Sequence, residues 1–138
     1  MGDWHSANFR DGSAEDLWRM FGGFHDFRVA SIAYSASDDF VDLILEYDDG
    51  ILAVLLRFSG NVSMNRPSSD YEVDWISKAT IHEVRGQIQW TACEPYEISP
   101  DDAFQDVTFV RGDSLKWAVL DEQGDRTPVP DSLTLAPQ

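Results

Sequence analysis

The chain has 138 residues, a single cysteine, and twenty-five acidic against ten basic residues, for a formal net charge of −15. That length suits one domain burying roughly two thirds of its unfolded surface without disulfides or a structural metal, and the lone Cys93 excludes an intramolecular disulfide. The charge argues against direct binding to a phosphate backbone. No apolar stretch approaches the ~20 residues of a membrane span, so a cytoplasmic protein with no membrane association is expected.

Residues 1 to 12 read as a polar, loosely held start with Trp4 and Phe9 as anchors. Ser13 is the expected N-cap of a short helix over Ala14 to Phe21. Glu15 and Asp16 in its first turn suit the helix dipole, and Leu17, Met20 and Phe21 make an apolar stripe. Gly22-Gly23 ends the helix, and Phe24-His25-Asp26 leads into a first strand, so the helix is expected to cover one side of the sheet.

The stretch from Phe40 to Phe58 dictates its own pairing. Two apolar runs flank Asp48-Asp49-Gly50, and Asp-Gly between alternating hydrophobics is a strong hairpin signal because glycine tolerates positive φ. A turn at Asp49-Gly50 sets Tyr47 against Leu52, Leu45 against Val54, Leu43 against Leu56 and Val41 against Phe58, with Asp42 facing Arg57 on the other side. A slip of one residue would strand Asp42 beside an apolar partner. The same register carried back to Phe27–Tyr34 pairs Phe27 with Tyr47, Val29 with Leu45, Ser31 with Leu43 and Ala33 with Val41, and sets Arg28 opposite Glu46. Both charge pairs are expected on an exposed face, each contributing about 0.2–1 kcal/mol.

Beyond Phe58, Ser59-Gly60 marks a bend, and a short strand with Val62 and Met64 inward is expected. Residues 65 to 70 read as a loop. Strands are expected at Tyr71–Trp75 and Thr80–Val84, and a half-buried one over Gln87–Cys93, which alternates polar and apolar. Val107-to-Phe109 and Leu115-to-Val119 read as a second hairpin with Arg111-Gly112-Asp113-Ser114 as its turn. The expected organisation is one globular domain over 1–124 and a loosely packed or disordered tail over 125–138. The fold class is α+β, mainly β: an antiparallel meander or sandwich-like curved sheet of six to nine strands, covered by one short N-terminal helix. Trp18, Trp75, Trp90 and Trp117 are assigned to the core. Edge strands of such a sheet are open to pairing with a copy of the chain.

Chemistry has few places to reside. Extending the register puts His25 across from Asp49, which would gather an imidazole with Asp26, Asp48 and Asp49. Such a set suits a divalent cation or an acid–base pair, so His25, Asp26 and Asp49 are the metal candidates. The competing assignment makes His25 and Asp26 structural groups at the start of a strand. His82 and Glu83 are neighbours on a strand and point to opposite faces. Cys93 ends an alternating strand as a small hydrophobe, and neither a zinc spacing nor a phosphate-cradling glycine loop is present. No catalytic residue and no cofactor is assigned.

Leu17-Trp18, then Phe24-His25-Asp26, a hydrophobic strand and an Asp-Gly hairpin running into Leu56-Arg57-Phe58-Ser59-Gly60-Asn61-Val62 together resemble small uncharacterised bacterial proteins, some of them classed as polymorphic-toxin immunity proteins. The resemblance covers roughly residues 17 to 62 and, more loosely, Val107 to Val119. It implies a cytoplasmic, non-catalytic binder of a cognate toxin, with His25 and Asp26 at the matching positions. Two functions follow as expectations. One is an acidic interaction protein meeting a basic protein partner; the other is a small enzyme or metal-binding protein centred on His25, Asp26 and the Asp48-Asp49 turn.

Overall fold

The computed structural model describes residues 4–47, 52–65, 78–92 and 108–120. They form β1 (His5–Ala7), α1 (Ser13–Met20), a 3-10 turn (Gly22–Phe24), β2 (Phe27–Ser35), β3 (Phe40–Tyr47), β4 (Leu52–Ser59), β5 (Ser63–Asn65), β6 (Thr80–Val84), β7 (Gln87–Thr91), β8 (Phe109–Gly112) and β9 (Ser114–Val119). The strands make two antiparallel sheets, a larger one in the order β1-β9-β4-β3-β2 and a smaller one in the order β5-β8-β7-β6. The mainly β, α+β class read from the sequence is the one observed. The expected segments at 66–77 and 93–107, the turn at 48–51 and the tail lie outside the described residues.

The β3–β4 pairing has the register that alternation demands, from Tyr47 opposite Leu52 to Val41 opposite Phe58, with Asp42 opposite Arg57. The β2–β3 pairing follows expectation from Phe27 to Val29 and then departs from it. A bulge at Ala30 shifts the partners, so that Ile32 meets Leu43 and Tyr34 meets Val41. Parity reverses there. Ile32 and Tyr34 take the inner face that the sequence reading gave to Ser31 and Ala33, which puts the larger apolar side chain of Ile32 against the core.

The expected second hairpin does not form. Asp113 alone separates β8 from β9, and the two strands belong to different sheets: β8 pairs with β5 and β7, whereas β9 inserts between β1 and β4. The crossing is tight. A Cβ on Gly112 would lie 3.1 Å from the Phe58 Cβ and from the backbone N and O of Ser59, so any side chain here would have to push β4 back by a few tenths of an ångström. The β8–β9 corner is tied down by the Asp113 N–H donating to the Gly60 carbonyl at 2.8 Å.

Between the sheets lies one core. Leu43, Leu45, Leu56, Phe58, Leu115 and Trp117 from the larger sheet meet Ile88, Trp90 and Val110 from the smaller, each fully buried large side chain contributing about 1.5–3 kcal/mol. Trp90 and Trp117 are core residues as expected, Trp18 is only partly buried, and Trp75 lies outside the described residues. The far side of the larger sheet is buried as well, through Ile44, Ala53, Leu55, Ala118 and Leu120, with Trp4 and Ala30 packed beside them. Strand β7 is likewise covered on both faces, with Gln89 and Thr91 buried, which corrects the half-buried assignment.

Several local expectations change. Residues 5–7 are not a loose start but a strand on β9, and His5 stacks on Trp117 with centroids 4.6 Å apart. Gly12, at φ 83°, occupies the N-cap, and Ser13 is the first helical residue. The Ser13 hydroxyl still serves this end, accepting from the Asn8 N–H at 2.9 Å and bonding the Asp11 carboxylate at 2.6 Å. Helix α1 neighbours β1 and β6, edge strands of the two sheets, rather than the centre of the meander. It turns Ala14 and Leu17 inward and leaves Met20 exposed, because Trp18 rather than Met20 reaches the smaller sheet, its Nε1 donating to the Ala79 carbonyl at 2.7 Å. Met64, expected inward, is exposed.

Candidate protein-interaction site

Among the described residues, the corner between α1 and β2 has the densest run of left-handed backbone. Gly22, Gly23, Phe24 and Asp26 all have positive φ, at 59°, 67°, 60° and 65°. For a bulky residue such as Phe24 this conformation is an outlier that costs about 1–3 kcal/mol unless its surroundings impose it. They do. The Phe24 ring is fully buried, 5.8 Å from Phe21, 5.5 Å from Phe27 and 6.4 Å from Trp90. The Gly23 carbonyl accepts from the Ala79 N–H at 2.7 Å, and a Cβ on Gly23 would fall 2.8 Å from the Lys78 side chain. The Lys78 ammonium lies 4.9 Å from the Trp18 ring centroid and completes the clamp.

Burying Phe24 in this way turns the next two side chains out. His25 Nδ1 lies 3.0 Å from Asp26 Oδ2, and the two side chains are 63% and 66% exposed. Beside them Met20, Phe21, Gly22, Phe27, Tyr47 and Leu52 line a shallow hollow of about 300 Å³. Met20 and Tyr47 are large apolar residues left in solvent, and Phe27 supports Tyr47 with ring centroids 5.2 Å apart. The corner is therefore an apolar hollow on a well-packed base with a carboxylate–imidazole pair at its rim. Its chemistry suits contact with a protein side chain that is apolar along its stem and cationic or hydrogen-bonding at its tip.

Of the sequence-derived metal candidates, the structure brings His25 and Asp26 together, while Asp48 and Asp49 lie outside the described residues, as does Cys93. No group of three or more metal-ligating side chains occurs among the described residues. His82 Nε2 lies 2.9 Å from Thr91 Oγ1, which also accepts from Gln89 Nε2 at 2.8 Å, so this imidazole belongs to a polar network on the outer face of the smaller sheet.

Two other polar constellations are structural. Asp39 accepts from the Asn61 and Val62 N–H groups at 2.7 and 3.2 Å. Asp113 accepts from Asn61 Nδ2 at 2.8 Å and from Gln87 Nε2 at 2.9 Å. Together they lash three turns to the crossing between sheets. A polar cleft of about 510 Å³ between the β1–α1 connection and β7 has Asp11 on its wall, and the hydrogen bonds from Ser13 hold the Asp11 carboxyl below its usual range. Sequence reasoning found the His25-Asp26 pair but missed its apolar neighbours. Comparison with protein-family models, curated proteins and solved structures gives no match.

Proposed function

We propose that this protein is a non-catalytic, cytoplasmic interaction protein that binds a basic protein partner in the manner of an immunity-type inhibitor. The observation that carries the reading is the α1–β2 corner, where left-handed backbone packed around Phe24 presents Met20, Tyr47 and the His25–Asp26 pair on a chain of net charge −15. A carboxylate-rich surface attracts a cationic partner over long range, and an apolar hollow gives the encounter a place to lock. The resemblance of the Phe24-His25-Asp26 segment to immunity proteins points the same way. A bacterial setting, a cytoplasmic location, and the absence of nucleic-acid and membrane partners belong to this reading. No described helix is long and apolar enough to cross a membrane.

The test is affinity capture from the host lysate at low and high salt, with wild-type protein and a Met20→Glu/Tyr47→Glu double variant. A basic partner held at low salt, weakened by added salt and lost with the double variant is the expected result. A host lysate that yields no basic partner, or a partner indifferent to both salt and the double variant, rejects the proposal.

A further inference from the structure

Among the described residues, the larger sheet ends in a strand with little of the usual protection of an edge. β2 is nine residues long, and among the described residues no strand lies beyond it. Natural edges are blunted by lysine, proline, inward charges or bulges. β2 has one bulge, at Ala30, and past it runs in unbroken pairing with β3 from Ser31 to Ser35. It has no proline and no lysine, and its one charge, Arg28, is drawn toward Glu46 on β3, 3.7 Å away. Residues 29–37 are nine in a row without Asp, Glu, Lys or Arg, the longest such run in the chain. Tyr34, within it, is 58% exposed, more than any other large hydrophobic residue described.

We infer that β2 pairs antiparallel with β2 of a second copy about a two-fold axis at Ala33, joining the larger sheets of two molecules into one. Charge selects the occupant. Two chains of net charge −15 repel wherever their acidic surfaces meet, and the uncharged edge is the seam that brings backbone to backbone without opposing carboxylates. The strand is also complementary to itself. With Ala33 opposite its own copy, Ile32 faces Tyr34 twice, a β-branched–aromatic cross-strand pair, and Ser31 faces Ser35 twice. The pairing is independent of the partner proposed above and has the opposite salt response: screening the mutual repulsion strengthens it.

Sedimentation velocity over a concentration and salt series tests this with wild type, Ala33→Lys, and two single-cysteine variants, Ala33→Cys and Tyr34→Cys, made in a Cys93→Ser background. The wild type is expected to dimerise more strongly as salt rises. Ala33→Lys sets two like charges face to face at the axis and is expected to be monomeric, with a thermal midpoint close to wild type because residue 33 is exposed. Ala33→Cys should cross-link under mild oxidation, since residues directly opposite on antiparallel strands lie about 4.5–5.5 Å apart at Cα, within disulfide reach. Tyr34→Cys, displaced from its own copy, should cross-link far less. A wild type that stays monomeric at high concentration and high salt overturns the inference. So does a dimer that survives Ala33→Lys, or one that cross-links no better at 33 than at 34; should Ala33→Lys fail to fold, the cysteine pair decides alone.

Discussion

Arg57 grips Asp42 with two parallel hydrogen bonds, Nε and Nη2 to the two carboxylate oxygens at 2.7 Å each, across the β3–β4 pair. The pair was expected on a solvated face. Instead Asp42 is 3% exposed, and the guanidinium carbon lies 4.0 Å from the Phe40 ring centroid and 5.3 Å from that of Trp4. The two ends of this bridge are unequal, because the Arg57 side chain keeps 21% of its surface while that of Asp42 keeps 4%. Arg57→Ala would leave a buried carboxylate uncompensated and is expected to destabilise by about 3–5 kcal/mol. Asp42→Ala leaves a cation that can turn toward water and should lose only about 1–3 kcal/mol. Urea denaturation of both variants checks the ordering, and equal losses would contradict the burial asymmetry.

Two glycines with nearly the same backbone conformation should respond differently to a methyl group. Gly60 and Gly86 have φ of 84° and 83°. A Cβ on Gly86 meets nothing within 4 Å, so Gly86→Ala should lose only the left-handed penalty of about 1–2 kcal/mol. On Gly60 the same atom falls 2.9 Å from an Asp113 carboxylate oxygen that holds Asn61, so Gly60→Ala adds disruption of that network and should lose about 1–2 kcal/mol more. Thermal melts of the two variants give the difference directly.

Asp11 offers a proton-linked readout. Its carboxyl is held below the ordinary aspartate range, chiefly by the Ser13 hydroxyl and then by the Ser13 backbone N–H. A depressed carboxylate contributes stability that is present above its unfolded pKa and is lost as pH falls through the folded value. Ser13→Ala should move the Asp11 titration upward, as followed by carboxyl-carbon NMR, and reduce the acid sensitivity that this group confers. An unchanged titration would show that the hydroxyl is not its main support.

His25 and Asp26 can supply two ligands, already bonded to each other and largely in solvent. On the interaction-protein reading, a thermal-shift series with chelator and then divalent metals should leave the midpoint in place. A rise specific to one metal that disappears in His25→Ala would instead make this corner a metal site.

The meander was legible because its residues leave one register standing: Asp42 must face Arg57, and the apolar positions fall on every second residue. The burial of the opposite face had its own signal. Val41 to Leu45 is apolar apart from Asp42, and a nearly continuous apolar strand marks a sheet covered on both sides. The bulge at Ala30 left no mark, since Ala30, Ser31 and Ala33 are small enough to fit either face. Arg111-Gly112-Asp113-Ser114 has the composition of a hairpin turn, and alternation is the same whether two neighbouring strands pair or part into separate sheets. At the candidate site, His25-Asp26 stood out as chemistry-bearing residues, but the positive φ of Phe24 that turns them outward comes from tertiary packing around its ring.

The place of β9 between β1 and β4 sets the order in which the molecule can be completed during synthesis. When Ser59 has left the ribosome, β2, β3 and β4 can form their meander from near neighbours, but β4 has one bare side and β1 has no partner. Both wait for Ser114–Val119, so β1, which precedes the meander in the chain, is seated only after the meander can form. Until then the apolar flank of β4 is a surface for chaperones. Nascent chains arrested before and after β9 should differ sharply in amide-exchange protection at Ala7 and Leu55, while Leu43 and Leu45 are protected in both.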